Sequence, residues 1–230
     1  MPGSEGAGTF DTTSGNDNKP ADERTSPQWI NNNNFLNNEQ QKQNAQLICY
    51  ELYTRGWTLN AIAGLLGNIS NESTVNPGIH ERGGSGFGLI QWTPASVLTN
   101  ELSQLGLSGD DDPINQLEII DAELTDYKNV FRVYYQNSNY PLYYVDDFPH
   151  STESPEFLAR VYQLSRERNL NIEAAEARKN SAKQWYAYLY DYYFFFENGG
   201  TPYGEESEEK TTQNNVYESS LFIPQRKWYK

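Results

Sequence analysis

Residues 76–92 contain Pro77, Gly78, Gly83, Gly84, Gly86 and Gly88, and a segment so rich in helix breakers cannot be helical. It reads as a loop leading into a short hairpin around residues 87–92. The stretch before it has the opposite character. Thr58 is a fair N-cap, and Ile62, Leu65, Leu66 and Ile69 fill the i, i+3, i+4, i+7 template of an amphipathic helix over residues 58–72. The chain must therefore build a helical core and hold an irregular backbone segment close to one helix end.

Further helices follow from the same periodicity. The first is expected over residues 37–55, with Ala45, Ile48, Cys49 and Leu52 on one stripe and Gly56 as its stop. Pro94, at a first helical turn, opens another to about residue 105, and Pro113 precedes one marked by Ile114, Leu117, Ile120 and Leu124. Ser154 caps a helix through residue 168, with Phe157, Leu158, Val161 and Leu164 inward. The last spans about residues 171–190, with Ala175, Ala182, Trp185 and Leu189 on one face. Val130, Phe131, Val133 and Tyr134 fit helix or strand equally. The expected fold class is mainly α (α+β), six or so helices with a small β-hairpin.

Hydrophobic residues make up 37% of the 230 and mean hydropathy is -0.80, but the shortfall lies at the two ends. The chain accordingly divides into a flexible N-terminal arm (1–36), one domain (37–196), and an acidic linker with a docking tail (197–230). The formal charge is -14, which repels phosphate backbones and argues against nucleic-acid partners. It argues equally against direct attraction to anionic membranes or wall polymers. No apolar run approaches a membrane span, and the acidic, Gly/Ser-rich start does not read as a secretory signal. The expectation is a chain with no membrane insertion and no route of its own across a membrane. Cys49 cannot form an internal disulfide and reads as a small buried hydrophobe. His80, His150 and one Cys cannot assemble a zinc set from histidine and thiolate alone, and the glycine run lacks the Lys of a phosphate loop. No metal and no cofactor is expected.

Glu72 is the residue most suggestive of chemistry. It lies seven positions after Leu65 and three after Ile69, so it shares the azimuth of the core stripe. A carboxyl there is partly desolvated, which raises its pKa and suits it to general-acid work. On spacing alone, a solvated Glu at a fraying helix end is the plainer alternative.

The wider neighbourhood favours chemistry. Glu72-Ser73 followed by Gly88-Leu89-Ile90-Gln91 resembles the catalytic Glu-Ser and Gly-Leu-Met-Gln-like strand of goose-type lysozymes and bacterial lytic transglycosylases. The blocks Gly56-Trp57-Thr58, Gly67-Asn68-Ile69, Glu72-Ser73-Thr74, Asn76-Pro77-Gly78, Gly86-Phe87-Gly88-Leu89 and Gln91-Trp92-Thr93-Pro94-Ala95-Ser96 are closer still to the phage tail lysozyme family. Ser165-Arg166-Glu167-Arg168, Arg178, Ala182 and Tyr186 are similar to its later helices, so the resemblance covers roughly residues 40–190. It implies a lysozyme-like fold with the hairpin beside an active-site cleft. It also implies that Glu72 protonates the glycosidic oxygen between N-acetylmuramic acid and N-acetylglucosamine in peptidoglycan. Oxocarbenium-like chemistry of this kind also needs charge stabilisation or an activated water. Glu81, nine residues on, is the candidate for that second catalytic role. A bound water, or the acetamido group of the substrate acting as nucleophile, remains open, with hydrolysis preferred over a 1,6-anhydro product.

Gln91 is expected to line the groove and bond an acetamido group. Trp92 serves equally well as a stacking platform or as a core plug. Ser73, Ser85 and Phe87 complete the candidate substrate contacts. Tyr134, Tyr135, Tyr140, Tyr143 and Tyr144, and the aromatic run 188–196, are read as core packing or a partner-facing patch. Leu221-Phe222-Ile223-Pro224 and Trp228-Tyr229, after a solvated acidic stretch, suggest docking onto other phage tail proteins. The sequence thus points to a tail-tip muramidase carried by a virion, against a rival reading as a structural tail or plug protein that keeps the fold without activity.

Overall fold

The structure is a computed structural model and describes residues 28–126, 140 and 142–202. Among these are six helices: α1 (Asn38–Thr54), α2 (Leu59–Ser73), α3 (Ser96–Leu105), α4 (Pro113–Thr125), α5 (Pro155–Ser165) and α6 (Ile172–Glu197). The mainly helical expectation holds. Residues 1–27, most of 127–141 and 203–230 lie outside the described residues, and with them the ambiguous Tyr/Asn-rich stretch and the apolar tail.

Local sequence accounts for the helix starts. Asn37 and Gln40 form a reciprocal capping box on α1; Thr58, Asp112, Ser154 and Asn171 each accept a backbone N–H at the head of their helix. α3 departs from expectation. Its N-cap is Ala95, so Pro94 precedes the helix instead of occupying its first turn, and the Thr93–Pro94 peptide is cis. α5 stops at Ser165, where the Ser hydroxyl donates back to the Val161 carbonyl at 2.7 Å and Arg168 then adopts a left-handed φ of 52°. α6 runs past residue 190 because the aromatic run is anchored from outside. Tyr193 and Phe196 pack edge-on against Tyr53 and Tyr50 of α1, each at 5.2 Å between ring centroids.

α2 is the axis of the fold. Its pattern predicts one buried face, yet residues 61–69 are buried without interruption. The reason is the small residues on its other side. A β-carbon on Gly64 would lie 2.7 Å from Leu158 Cβ of α5, and one on Gly67 would lie 2.6 Å from the Arg178 carbonyl of α6. Glycine at these two positions lets α5 and α6 close onto α2, and those two helices make its most extensive contacts. Ile62, Leu65, Leu66 and Ile69 are fully buried in the same core as Leu52, Trp57, Leu117 and Phe148. Cys49 is buried there too, and burial pushes its thiol up to about 12.

The expected hairpin reduces to two single antiparallel bridges, His80 with Phe87 and Phe87 with Trp92. A side chain anchors the segment further. The Gln116 amide oxygen accepts from Leu89 N at 2.8 Å, while its nitrogen donates to the Pro77 and Asp110 carbonyls at 2.7 Å. Gly88 has φ 80°, and a β-carbon there would meet the Gln116 amide oxygen at 2.7 Å, so the position admits only glycine. Residues 28–36, assigned by sequence to the arm, lie against the domain. The Asn44 amide exchanges hydrogen bonds with Ile30, and the Asn76 amide donates to the Asn32 and Asn34 carbonyls. Among the described residues no helix is long and apolar enough to cross a membrane.

Candidate active site

A cavity of about 360 Å³ opens where α2 ends, walled by Glu72, residues 90–93, Val97, Tyr162, Arg166, Glu167 and Asn169. Glu72 occupies the last turn of α2, which then breaks sharply as Thr74 and Val75 take left-handed φ values of 54° and 61°. β-branched residues rarely adopt this conformation, which costs about 1–2 kcal/mol per residue. Gln91 (φ 51°) and Arg168 (φ 52°) are the other non-glycine residues with positive φ among those described. All four lie on or within three residues of the cavity wall, which is where strained backbone tends to be retained for function.

The Glu72 side chain is 27% exposed. Burial raises its pKa; the Arg178 guanidinium opposes that rise, and the Glu81 charge reinforces it. Arg178, from the α6 face that carries Ala175 and Ala182, donates to Glu72 through Nη2. The same Nη2 lies 2.8 Å from the carboxylate of Glu167, whose side chain is 12% exposed. Desolvation lifts Glu167 to about 7, with Arg178 pulling down and Glu72 pushing up.

A second polar layer lies behind the wall. Arg166 grips Glu123 of α4 through Nε at 2.6 Å and Nη2 at 3.0 Å, a bidentate pair. Trp92 Nε1 donates to Glu101 of α3 at 3.1 Å. Burial and the neighbouring Glu123 charge raise Glu101 to about 7. Tyr162 also lines the cavity, and its buried hydroxyl has no hydrogen-bond partner among the described residues. These charges tie α3, α4 and α5 together beneath the site.

The residues expected from sequence divide into two sets. Glu72, Gln91 and Trp92 line the cavity. Trp92 is both plug and wall: it is 3% exposed, sits in the core, and presents its remaining edge to the cavity. Gln91 donates its amide nitrogen to the Ile79 and Gly88 carbonyls at 3.2 and 2.9 Å, so its oxygen is what it can offer a ligand. Ser73 is buried, its hydroxyl donating to the Ile69 carbonyl at 3.0 Å, and it is not part of the cavity wall. Phe87 is buried in the core with its ring 4.5 Å from His80. Ser85 is exposed, and its carbonyl accepts from Ala95 N at 2.8 Å. Glu81 is outside the wall. Its carboxylate accepts from Gly86 N at 3.0 Å and fills the space a Gly84 side chain would need, closing the glycine loop on itself.

Glu167, Arg178, Arg166 and Tyr162 were not singled out by chemical reasoning. Arg178 carried a usable signal: it stands three after Ala175 and four before Ala182, a charge on an apolar stripe. Such a residue needs a buried anion, and the helix end carrying Glu72 is the anion it found.

A model of the phage tail lysozyme family matches residues 43–189, and the chain belongs to that family. Morphogenesis protein 1 of Bacillus phage B103 is 37% identical over 166 residues, covering 70% of this chain and 43% of that protein. The chain thus spans less than half the length of this curated relative. Every residue of the cavity wall falls within the matched span.

Proposed function

We propose that this chain is a muramidase of a phage tail tip, cutting the β-1,4 bond between N-acetylmuramic acid and N-acetylglucosamine to open the host wall for DNA. The observation that carries this reading is the Glu72 carboxyl, partly withdrawn from water at the edge of a cavity and raised in pKa by its burial. In this reading Glu72 gives its proton to the glycosidic oxygen as that bond breaks. The departing sugar leaves as an alcohol, and the remaining ring carries oxocarbenium character. Glu81, whose charge acts on Glu72 across the glycine loop, orients the water that completes hydrolysis. Trp92 and Val97 supply apolar wall, and the Gln91 oxygen accepts from an acetamido N–H. The acidic chain has no electrostatic attraction of its own to an anionic wall, so delivery falls to the virion, with other tail proteins as partners.

One observation favours a different role. Arg178 holds Glu72 in an ion pair, as a purely structural carboxylate would be held. Loss of turbidity by purified cell walls separates the two readings. Glu72→Gln keeps the shape and a hydrogen-bond acceptor for Arg178 but removes the transferable proton. The enzyme reading expects a loss of roughly 100- to 10,000-fold, the usual worth of a positioned acid. A wild type and variant equally inert on several wall types leave only the structural role.

A further inference from the structure

Glu167 has no part in the reaction as described, yet it is a buried carboxylate in the wall of the same cavity. Its setting is poor for a charge. Neither of its oxygens accepts a hydrogen bond among the described residues, and Arg178 Nε is likewise unpaired. The 2.8 Å approach of Arg178 Nη2 is an ion-pair distance without hydrogen-bond alignment. Glu72 has the better-directed share of the guanidinium. Two carboxylates and one guanidinium carry a net charge of -1 when both acids are ionised, in a place largely closed to water. A single proton on either acid makes the group neutral.

We propose that Glu167 is a positioning residue of this site: by sharing Arg178 with Glu72 it keeps one proton on the carboxylate pair, resting on Glu167 and passed to Glu72 as it is used, so that the site keeps a donor to higher pH. The proposal rests on Glu72 being the donor. The groups facing the pair come from every neighbouring element. Glu72 stands on α2 and Arg178 on α6, Tyr162 and Arg166 on or just after α5, and Glu81 in the glycine loop. Arg166 is already engaged by Glu123 of α4, with Glu101 of α3 beside it, so Arg178 is the cation the two acids divide. Two acids coupled in this way titrate as a pair, in two steps that both report on each carboxyl.

The test follows the carbon-13 resonance of the Glu72 side-chain carboxyl, assigned by its loss in Glu72→Gln. In the wild type this resonance is expected to move in two steps, the upper one near the value of about 7 set by Glu167. In Glu167→Gln the upper step disappears, and the alkaline limb of wall cleavage moves down by about one pH unit. Glu167→Asp, which keeps the charge, restores the upper step. A Glu72 titration identical in the wild type and folded Glu167→Gln overturns the proposal, as does an Asp variant behaving like the Gln variant. The resonance can be followed whether or not walls are cut. Inactivity of the wild type therefore refutes the muramidase reading, while an uncoupled titration refutes this inference.

Discussion

Gly67→Ala sets two opposed effects against each other at the contact that brings Arg178 to Glu72. Position 67 is inside α2, where alanine is the better helix former by about 1 kcal/mol. Its new methyl group, however, would stand 2.6 Å from the Arg178 carbonyl oxygen and 2.8 Å from Ala182 Cβ. Ordinary contact begins at 3.4 Å, so α6 would have to retreat by about 0.8 Å (3.4 − 2.6). Backbone and a β-carbon have no rotamer through which to yield. Overpacking of this kind costs typically about 1–3 kcal/mol, and the absence of a flexible neighbour puts this site in the upper half of that range. The net expectation is destabilisation by about 1–2 kcal/mol. Guanidinium unfolding measures it as a lower midpoint at unchanged slope. Because Arg178 moves with α6, wall cleavage should fall as well. A midpoint equal to or above the wild type would show that helix propensity wins, and that α6 does not lean on α2 through this glycine.

Stability should depend on pH through the buried acids, Glu101 and Glu167 above all. Glu101 and Glu167 both titrate at about 7 in the fold, against an ordinary value of 4.5. Because their pKa values are raised, their contribution is fully present below about 4.5 and is lost as pH rises through about 7. The unfolding midpoint should therefore fall between pH 5 and pH 8, and Glu101→Gln or Glu167→Gln should flatten that fall; a midpoint that rises over this window contradicts the assignment. Trp92→Phe keeps the core ring but removes the 3.1 Å indole donor from Glu101. It should cost about 1–2 kcal/mol in denaturant unfolding, and an unchanged midpoint would mean the bond contributes nothing. Glu81→Gln tests the second catalytic role. If Glu81 orients the water, wall cleavage falls by about 100-fold with Glu72 intact, and cleavage at the wild-type rate removes Glu81 from the mechanism.

The helices and the place of Glu72 on the core side of its helix were legible because they rest on local rules. Caps at Thr58 and Ser154 announce themselves by residue type, and the spacing of Leu65, Ile69 and Glu72 fixes an azimuth without tertiary knowledge. Three features were illegible for physical reasons. The all-round burial of α2 depends on Gly64 and Gly67 meeting helices about ninety and more than a hundred positions away. The anchoring of the glycine segment depends on one distant side chain, Gln116, which bonds Leu89 N and the Pro77 carbonyl from the far side of the sequence. Glu167 looks like an ordinary charge at a helix end until Arg178 arrives from α6 to share it with Glu72. Arg178 shows on the apolar stripe of α6 as a cation in need of an anion, but nothing in the spacing says which acids it meets.

Mass spectrometry of the fragments released from purified peptidoglycan in water enriched in oxygen-18 tests the central claim most directly. Proton donation by Glu72 followed by water attack predicts fragments with reducing muramic acid ends carrying one heavy oxygen, and their disappearance with Glu72→Gln. Fragments released equally by the variant, or ending in anhydro-muramic acid with no heavy oxygen, contradict it.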